Sequence, residues 1–202
     1  MITLLTVVND AAARAKARRG VLRKWVDVAD RDAQILELLD KQAITEVLTR
    51  YFRSVDRGDV ETLRSCYLPG ATEDHGGLWE GPAEQYVDSI AASVTHPKSL
   101  TSHVLSNVLI ELHGDVADVE SYATTFARVK SDGQRFDCFV GARIVDRMER
   151  REGRWGITHR QLLWEWNLDV PTNETWVQGY LTPDATRMRH GLKFPDDPVF
   201  RR

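Results

Sequence analysis

The stretch AITEVLTRYFRSVDRGDVETL, residues 43–63, decides the fold. Ile44, Val47, Leu48, Tyr51, Phe52 and Val55 recur at three- and four-residue steps, the spacing of one face of an α-helix. Ile35, Leu38 and Leu39 extend the same stripe upstream, so the spacing predicts one long helix from about residue 30. Gly58 stands where a helix C-terminus favours glycine. Asp59 can then cap a short second helix, VETLRSCY (60–67). Asp56 is the exception in the stripe. It lies one turn beyond Tyr51 and Phe52, where a carboxylate is costly to bury. Either it solvates the helix end, or it is held in a pocket for chemistry.

Working outward, ATEDHGGLWEG (71–81) is strand-like with a turn and closes at Gly81-Pro82. PAEQYVDSIAASV (82–94) is a third helix, with proline in its first turn. After Pro97 the period changes to two. SLTSHVLSNVLIELH (99–113), VADVESYATTFARVK (116–130), RFDCFVGARIVDRMER (135–150) and RWGITHRQLLWEWNL (154–168) are long strands joined by Gly-Asp, Ser-Asp-Gly and Glu-Gly turns, an antiparallel meander. Helices followed by a curled sheet make an α+β cone, with the sheet's concave face wrapped around the long helix and an apolar pocket at the open end. The domain is expected over residues 30–168. Residues 1–29 form an N-terminal extension with helical composition between about 10 and 27. Residues 169–202 form an irregular tail that packs on the domain through Trp176, Tyr180 and Phe194.

The composition excludes several classes. A net charge of -3 in 202 residues, 28% of them charged, gives no electrostatic footprint for nucleic acid. The basic runs RAKARRG and RMERREGR are short and suit solvated faces or hairpin tips. No run approaches the ~18 apolar residues of a membrane span. The first twenty residues place apolar before basic, the reverse of a secretory signal. Cys66 and Cys138 cannot build a disulfide framework or a four-thiolate zinc site, so both are read as reduced thiols in a cytoplasmic protein. There is no phosphate loop or dinucleotide fingerprint, and no cofactor or metal is expected.

Four pieces, AITEVLTRYFRSVDRGDVETL, DHGGLWEGPAEQYVDSI (74–90), SHVLSNVLIELHGDVADVESY (102–122) and VDRMERREGRWGITHRQLLWEW (145–166), together resemble the SnoaL-like branch of the nuclear-transport-factor-2-like superfamily. That branch includes scytalone dehydratase, bile acid 7α-dehydratase and hexachlorocyclohexane dehydrochlorinase. The resemblance covers about residues 34–168. It implies a helix-borne aspartate paired with a strand-borne histidine at the pocket floor, here Asp56 and His103. It further implies roles for Tyr51, five residues before the aspartate, and for Arg160 on the last strand. His75 stands where scytalone dehydratase carries a tyrosine. Members associate through the convex or edge side of the sheet, so a homodimer or homotrimer is expected.

The residue types suit that implication. A histidine exchanges a proton near neutral pH, and a carboxylate on one ring nitrogen fixes its tautomer, as in hydrolase triads. No Ser or Cys nucleophile motif accompanies the pair, which points to proton abstraction and elimination. Tyr51 and Arg160 would polarise the substrate. His75, Trp79, Arg143 and Trp164 would contact it. Each has a plainer reading too: Tyr51 as core packing, His103 as a satisfied core residue, Arg160 as a surface ion pair, His75 as a loop residue, the tryptophans as core. His159 should face away from Arg160.

The expected activity is that of a cofactor-independent lyase. It would remove water, or a comparable fragment such as formaldehyde, from a hydrophobic aromatic or polycyclic alcohol. One alternative is an isomerase or cyclase of the ketosteroid isomerase or polyketide cyclase type, with Asp56 as base. Another is a non-catalytic small-molecule-binding module.

Overall fold

The computed structural model describes residues 31–173 and 189–201. By its internal contacts the chain divides into two units, residues 1–39 and 40–202. The described part of the first unit is the opening of helix α1, Arg31–Arg57, where Ile35, Leu38 and Leu39 are exposed. The stripe expected from residue 35 therefore enters the core only at Ile44, followed by Leu48, Tyr51 and Phe52. Periodicity tells which face of a helix is apolar, not what covers it.

In the second unit, Gly58 ends α1 at a positive φ of 69°. Asp59 then accepts the Thr62 N–H at 3.1 Å and caps α2, Val60–Ser65. Strands β1 (Tyr67–Asp74) and β2 (Glu80–Pro82) form a short hairpin. Helix α3, Ala83–Thr95, follows directly. The meander is β3 (Leu100–His113), β4 (Val116–Ser131), β5 (Gln134–Arg151) and β6 (Arg154–Pro171). The result is an α+β fold with a six-stranded, curved, unclosed sheet in the order β2-β1-β6-β5-β4-β3. The meander is antiparallel throughout, and β1 joins it parallel to β6. Among the described residues no helix is long and apolar enough to cross a membrane.

One face of the sheet is the core. Ala117, Val119, Ser121 and Ala123 on β4, and Ala142, Ile144, Asp146 and Met148 on β5, are buried at every second position, as half-buried strands require. They pack with Ile44, Leu48, Tyr51 and Phe52 of α1 and with Tyr86 and Val87 of α3. Asp40 pins α1 to the sheet, accepting from Arg150 at 2.7 Å and from the Trp155 indole at 2.9 Å.

Two irregularities set which side chains face that core. On β3 the register shifts between Ser106 and Leu109, and Asn107 has φ 49°, a conformation asparagine tolerates better than most residues. The extra residue lets His103 and Leu105 before it and Val108 and Ile110 after it turn to the same side. Asn107, which simple alternation places beside His103, is exposed instead. On β6 the register shifts between Ile157 and His159. Trp155, Ile157, Arg160 and Leu162 are consequently all buried, while His159 is exposed and meets Thr72 Oγ1 at 2.7 Å.

In the C-terminal segment, Phe194 packs edge-to-face on Phe200 at 5.0 Å. Trp176, Tyr180 and the N-terminal extension lie outside the described residues.

Candidate functional site

Asp56 is the last turn of α1, and its carboxylate is engaged twice by one residue of the edge strand β3. His103 Nδ1 donates to Asp56 Oδ1 at 2.6 Å, and the His103 backbone N–H donates to Oδ2 at 2.9 Å. Both side chains keep a window to solvent, 11% exposed for Asp56 and 16% for His103. Phe52, one helical turn before Asp56, stacks on the imidazole with centroids 5.2 Å apart. With Nδ1 donating to a carboxylate, the neutral ring keeps its basic lone pair on Nε2.

The pair opens on a cavity of about 470 Å³. Thr45, Thr49, Phe52, Arg53, Asp56 and Arg57 wall it from α1, and His103, Leu105 and Val108 from β3. These α1 positions follow one helical face. The three β3 positions share a side because of the Asn107 bulge. The volume lies within the range of small-molecule pockets. Among the described residues no three His, Cys, Asp or Glu side chains gather closely enough to hold a metal ion.

Tyr51 and Arg160 lie elsewhere, in the core. Arg160 is 1% exposed. It binds Asp146 with two donors, Nε and Nη2, each at 2.7 Å, and its guanidinium lies 4.0 Å over the Tyr51 ring. Burial works against this charge, but Asp146 outweighs it and holds the guanidinium ionised well above its ordinary range. Tyr51 packs edge-on against Phe52 and Tyr67. Burial, reinforced by Glu73, pushes its hydroxyl up, so it stays un-ionised. Neither Tyr51 nor Arg160 is among the cavity-lining residues.

His75 belongs to a second carboxylate–imidazole pair. Glu73, 1% exposed, accepts from His75 Nδ1 at 2.8 Å and from the Tyr67 hydroxyl at 2.7 Å. The His75 ring stacks on Tyr86 at 4.8 Å and meets Trp164 edge-on at 5.8 Å. Trp164 ties down the turn after β1 by donating to Gly76 O at 2.9 Å. Trp79 lies 6.4 Å from Tyr86. Arg143 is apart from both groups: it binds Glu165 at 3.1 Å and Glu120 at 3.4 Å and does not line the cavity.

Four participants were not singled out from the sequence. Glu73 had a usable signal, since residues two apart on a strand share a face and His75 was already a candidate. Asp146 pairs with Arg160 directly across β5 and β6, a register the local pattern does not contain. Arg53 and Arg57 look like the polar side of a helix until the cavity is seen.

Residues 36–161, more than half of the chain, match the SnoaL-like domain, and the chain belongs to that family. No functionally curated protein matches it. Among solved structures, the hexachlorocyclohexane dehydrochlorinase LinA type 2 is similar with a TM-score of 0.62 at 17% identity, over 70% of this chain and 95% of that one. A Novosphingobium aromaticivorans protein with the provisional name of scytalone dehydratase is similar with a TM-score of 0.59 at 19% identity, over 68% and 91%. A Nostoc punctiforme protein of unknown function with a cystatin-like fold is similar with a TM-score of 0.51 at 25% identity, over 63% and 92%. At these identities the likeness is one of fold.

Proposed function

We propose that this protein is a cofactor-independent lyase that eliminates water, or a comparably small fragment, from a hydrophobic aromatic or polycyclic alcohol. The observation that carries the reading is the double hold of Asp56 on His103 at the wall of a 470 Å³ cavity. Nε2 of His103 removes a proton from the carbon next to the one bearing the hydroxyl. The C–H electron pair becomes the new C=C bond, and the C–O bond breaks. The hydroxyl leaves as water by taking a proton, which the imidazolium can return. Asp56 keeps the ring in the right tautomer and stabilises its charged form. Phe52, Leu105 and Val108 supply an apolar wall suited to a ring-bearing substrate. Two structural neighbours named as a dehydrochlorinase and, provisionally, a dehydratase support an elimination. His75, oriented by Glu73, and the neighbouring Trp164 and Trp79 remain candidates for contacting the far part of a larger substrate.

An isomerase with Asp56 as base is less well supported. Both carboxylate oxygens are already accepting from His103, so the imidazole is the more available base. A homodimer or homotrimer belongs to the same proposal by family resemblance, and a cytoplasmic setting by the reading of both cysteines as reduced thiols.

The test is a panel of benzylic and bicyclic aromatic alcohols, assayed by mass spectrometry for products lighter by one water. Turnover should fall at least ~100-fold in His103→Ala, the usual worth of a positioned acid–base group. Wild-type turnover in that variant would remove the pair from the mechanism. Products of unchanged mass would favour isomerisation.

A further inference from the structure

An α-helix leaves its last four carbonyls without partners inside the helix. At the end of α1 all four are engaged, from two sources. Ser54 O accepts the Asp59 N–H at 2.9 Å and Val55 O accepts the Gly58 N–H at 3.4 Å, the local turn that a left-handed glycine permits. The other two are met by a segment nearly 140 residues away in sequence. Asp56 O accepts from Lys193 Nζ at 2.6 Å, and Arg57 O accepts the Phe194 N–H at 2.7 Å.

That segment is fastened from both sides. Arg57 donates back to Leu192 O at 3.3 Å and lies 4.0 Å from Asp197. Asp197 in turn accepts the Leu192 and Val199 N–H groups at 3.0 and 3.1 Å, which folds the segment into its own short turn. The Arg53 guanidinium sits 4.7 Å over the Phe200 ring. Arg53 and Arg57 are both walls of the cavity, so the segment braces the wall that carries Asp56. The segment itself lies beyond residue 161, where the family match ends.

We propose that Lys193 is a positioning residue for the Asp56–His103 pair. Its ammonium holds the backbone of Asp56 and places a positive charge beside a carboxylate whose two oxygens are committed to His103. A cation at a helix C-terminus is also favoured by the helix dipole. The segment around it is thereby part of the site. The inference rests on reading Asp56 and His103 as the acid–base centre. Among the described residues, the charged groups that face Lys193 are Asp56, with His103 behind it, and Arg57, all on packed elements. Asp196 and Asp197 lie in its own segment. Burial lowers the ammonium below the usual lysine range, Arg57 pushes the same way, and Asp56 opposes both.

The experiment needs no substrate. The lysines of the full-length protein are dimethylated with ¹³C, which preserves their charge, and titrated by NMR, with the Lys193 signal identified by its loss in Lys193→Arg. In Asp56→Asn that signal should titrate at lower pH than in the wild-type protein, because the carboxylate that opposes deprotonation has gone. In parallel, the His103 Nδ1–H proton should exchange with solvent faster in Lys193→Met and at the wild-type rate in Lys193→Arg. An unmoved Lys193 titration in Asp56→Asn would overturn the proposal, as would wild-type exchange in Lys193→Met. Lys193→Gln serves as a second variant: it can cap the carbonyl without charge, and exchange at the wild-type rate there would overturn the electrostatic role. These readouts are separate from turnover in His103→Ala, so failure here leaves the acid–base reading standing, and failure there leaves the coupling measurable.

Discussion

Arg160 carries its charge into the core, where Glu73 and Asp146 are buried as well. Two hydrogen bonds to Asp146 and the face of Tyr51 make that tolerable. A buried ion pair is not a strong source of stability, but removing one partner strands the other. Asp146→Asn should therefore lower unfolding free energy by about 3–5 kcal/mol, read from the urea midpoint. Replacing both partners, as in Asp146→Leu with Arg160→Met, should recover much of the loss. If Asp146→Asn costs less than about 1 kcal/mol, Arg160 has another partner or reaches water. That this arginine is interior and not part of a surface ion pair was only half legible, since its strand position allows both. Its partner was not, because Asp146 looks like an ordinary polar position until β5 and β6 are set in register. Asp56 and His103 could be matched only through the family resemblance, Asp56 standing out besides as a carboxylate in an apolar stripe. Lys193 could not: a single lysine in an aperiodic tail carries no signal until the chain returns to α1.

At the scale of elements, the ends and irregularities matter more than the regular stretches. Gly58 ends α1 with φ 69°, and a Cβ there would come within 2.7 Å of Val94 O and 3.0 Å of Thr95 Cα, at the end of α3. The site is strained for any other residue and has no room for one. Gly58→Ala should cost more than ~1–2 kcal/mol, the usual penalty for a left-handed non-glycine residue, because backbone must also shift. It should also loosen the last turn, which bears Asp56. A thermal midpoint equal to wild type would mean that the α1 end and α3 are not packed as described. Helix termini were readable in the sequence because Gly58 and Asp59 have local chemistry. The bulge at Asn107 was not, since an asparagine in a strand pattern has several uses. Yet that bulge decides that Val108, and not Asn107, faces the cavity with His103. The parallel pairing of β1 with β6 was likewise hidden, being a long-range choice of partner.

For the molecule as a whole, the face of the sheet turned away from the core is unusually apolar. Cross-strand partners share a face, and two rows run across four strands there. One is Val104, Thr124, Gly141 and Trp166, and the other is Ser102, Phe126, Phe139 and Leu168. Trp166 is 53% exposed, Leu168 55% and Val104 58%. The Trp166 indole occupies the space beside Gly141, where any Cβ would collide with it. A contiguous apolar surface of this kind marks an association site more often than a solvated one. The expected occupant is a second copy, in keeping with the dimer or trimer that the family resemblance implies. Sedimentation should show the wild-type protein as a closed oligomer. Trp166→Glu with Leu168→Glu should yield a monomer with an unchanged circular dichroism spectrum, since neither side chain belongs to the core. A wild-type monomer, or an oligomer indifferent to both changes, would assign association to another surface and leave these rows without a partner of this kind.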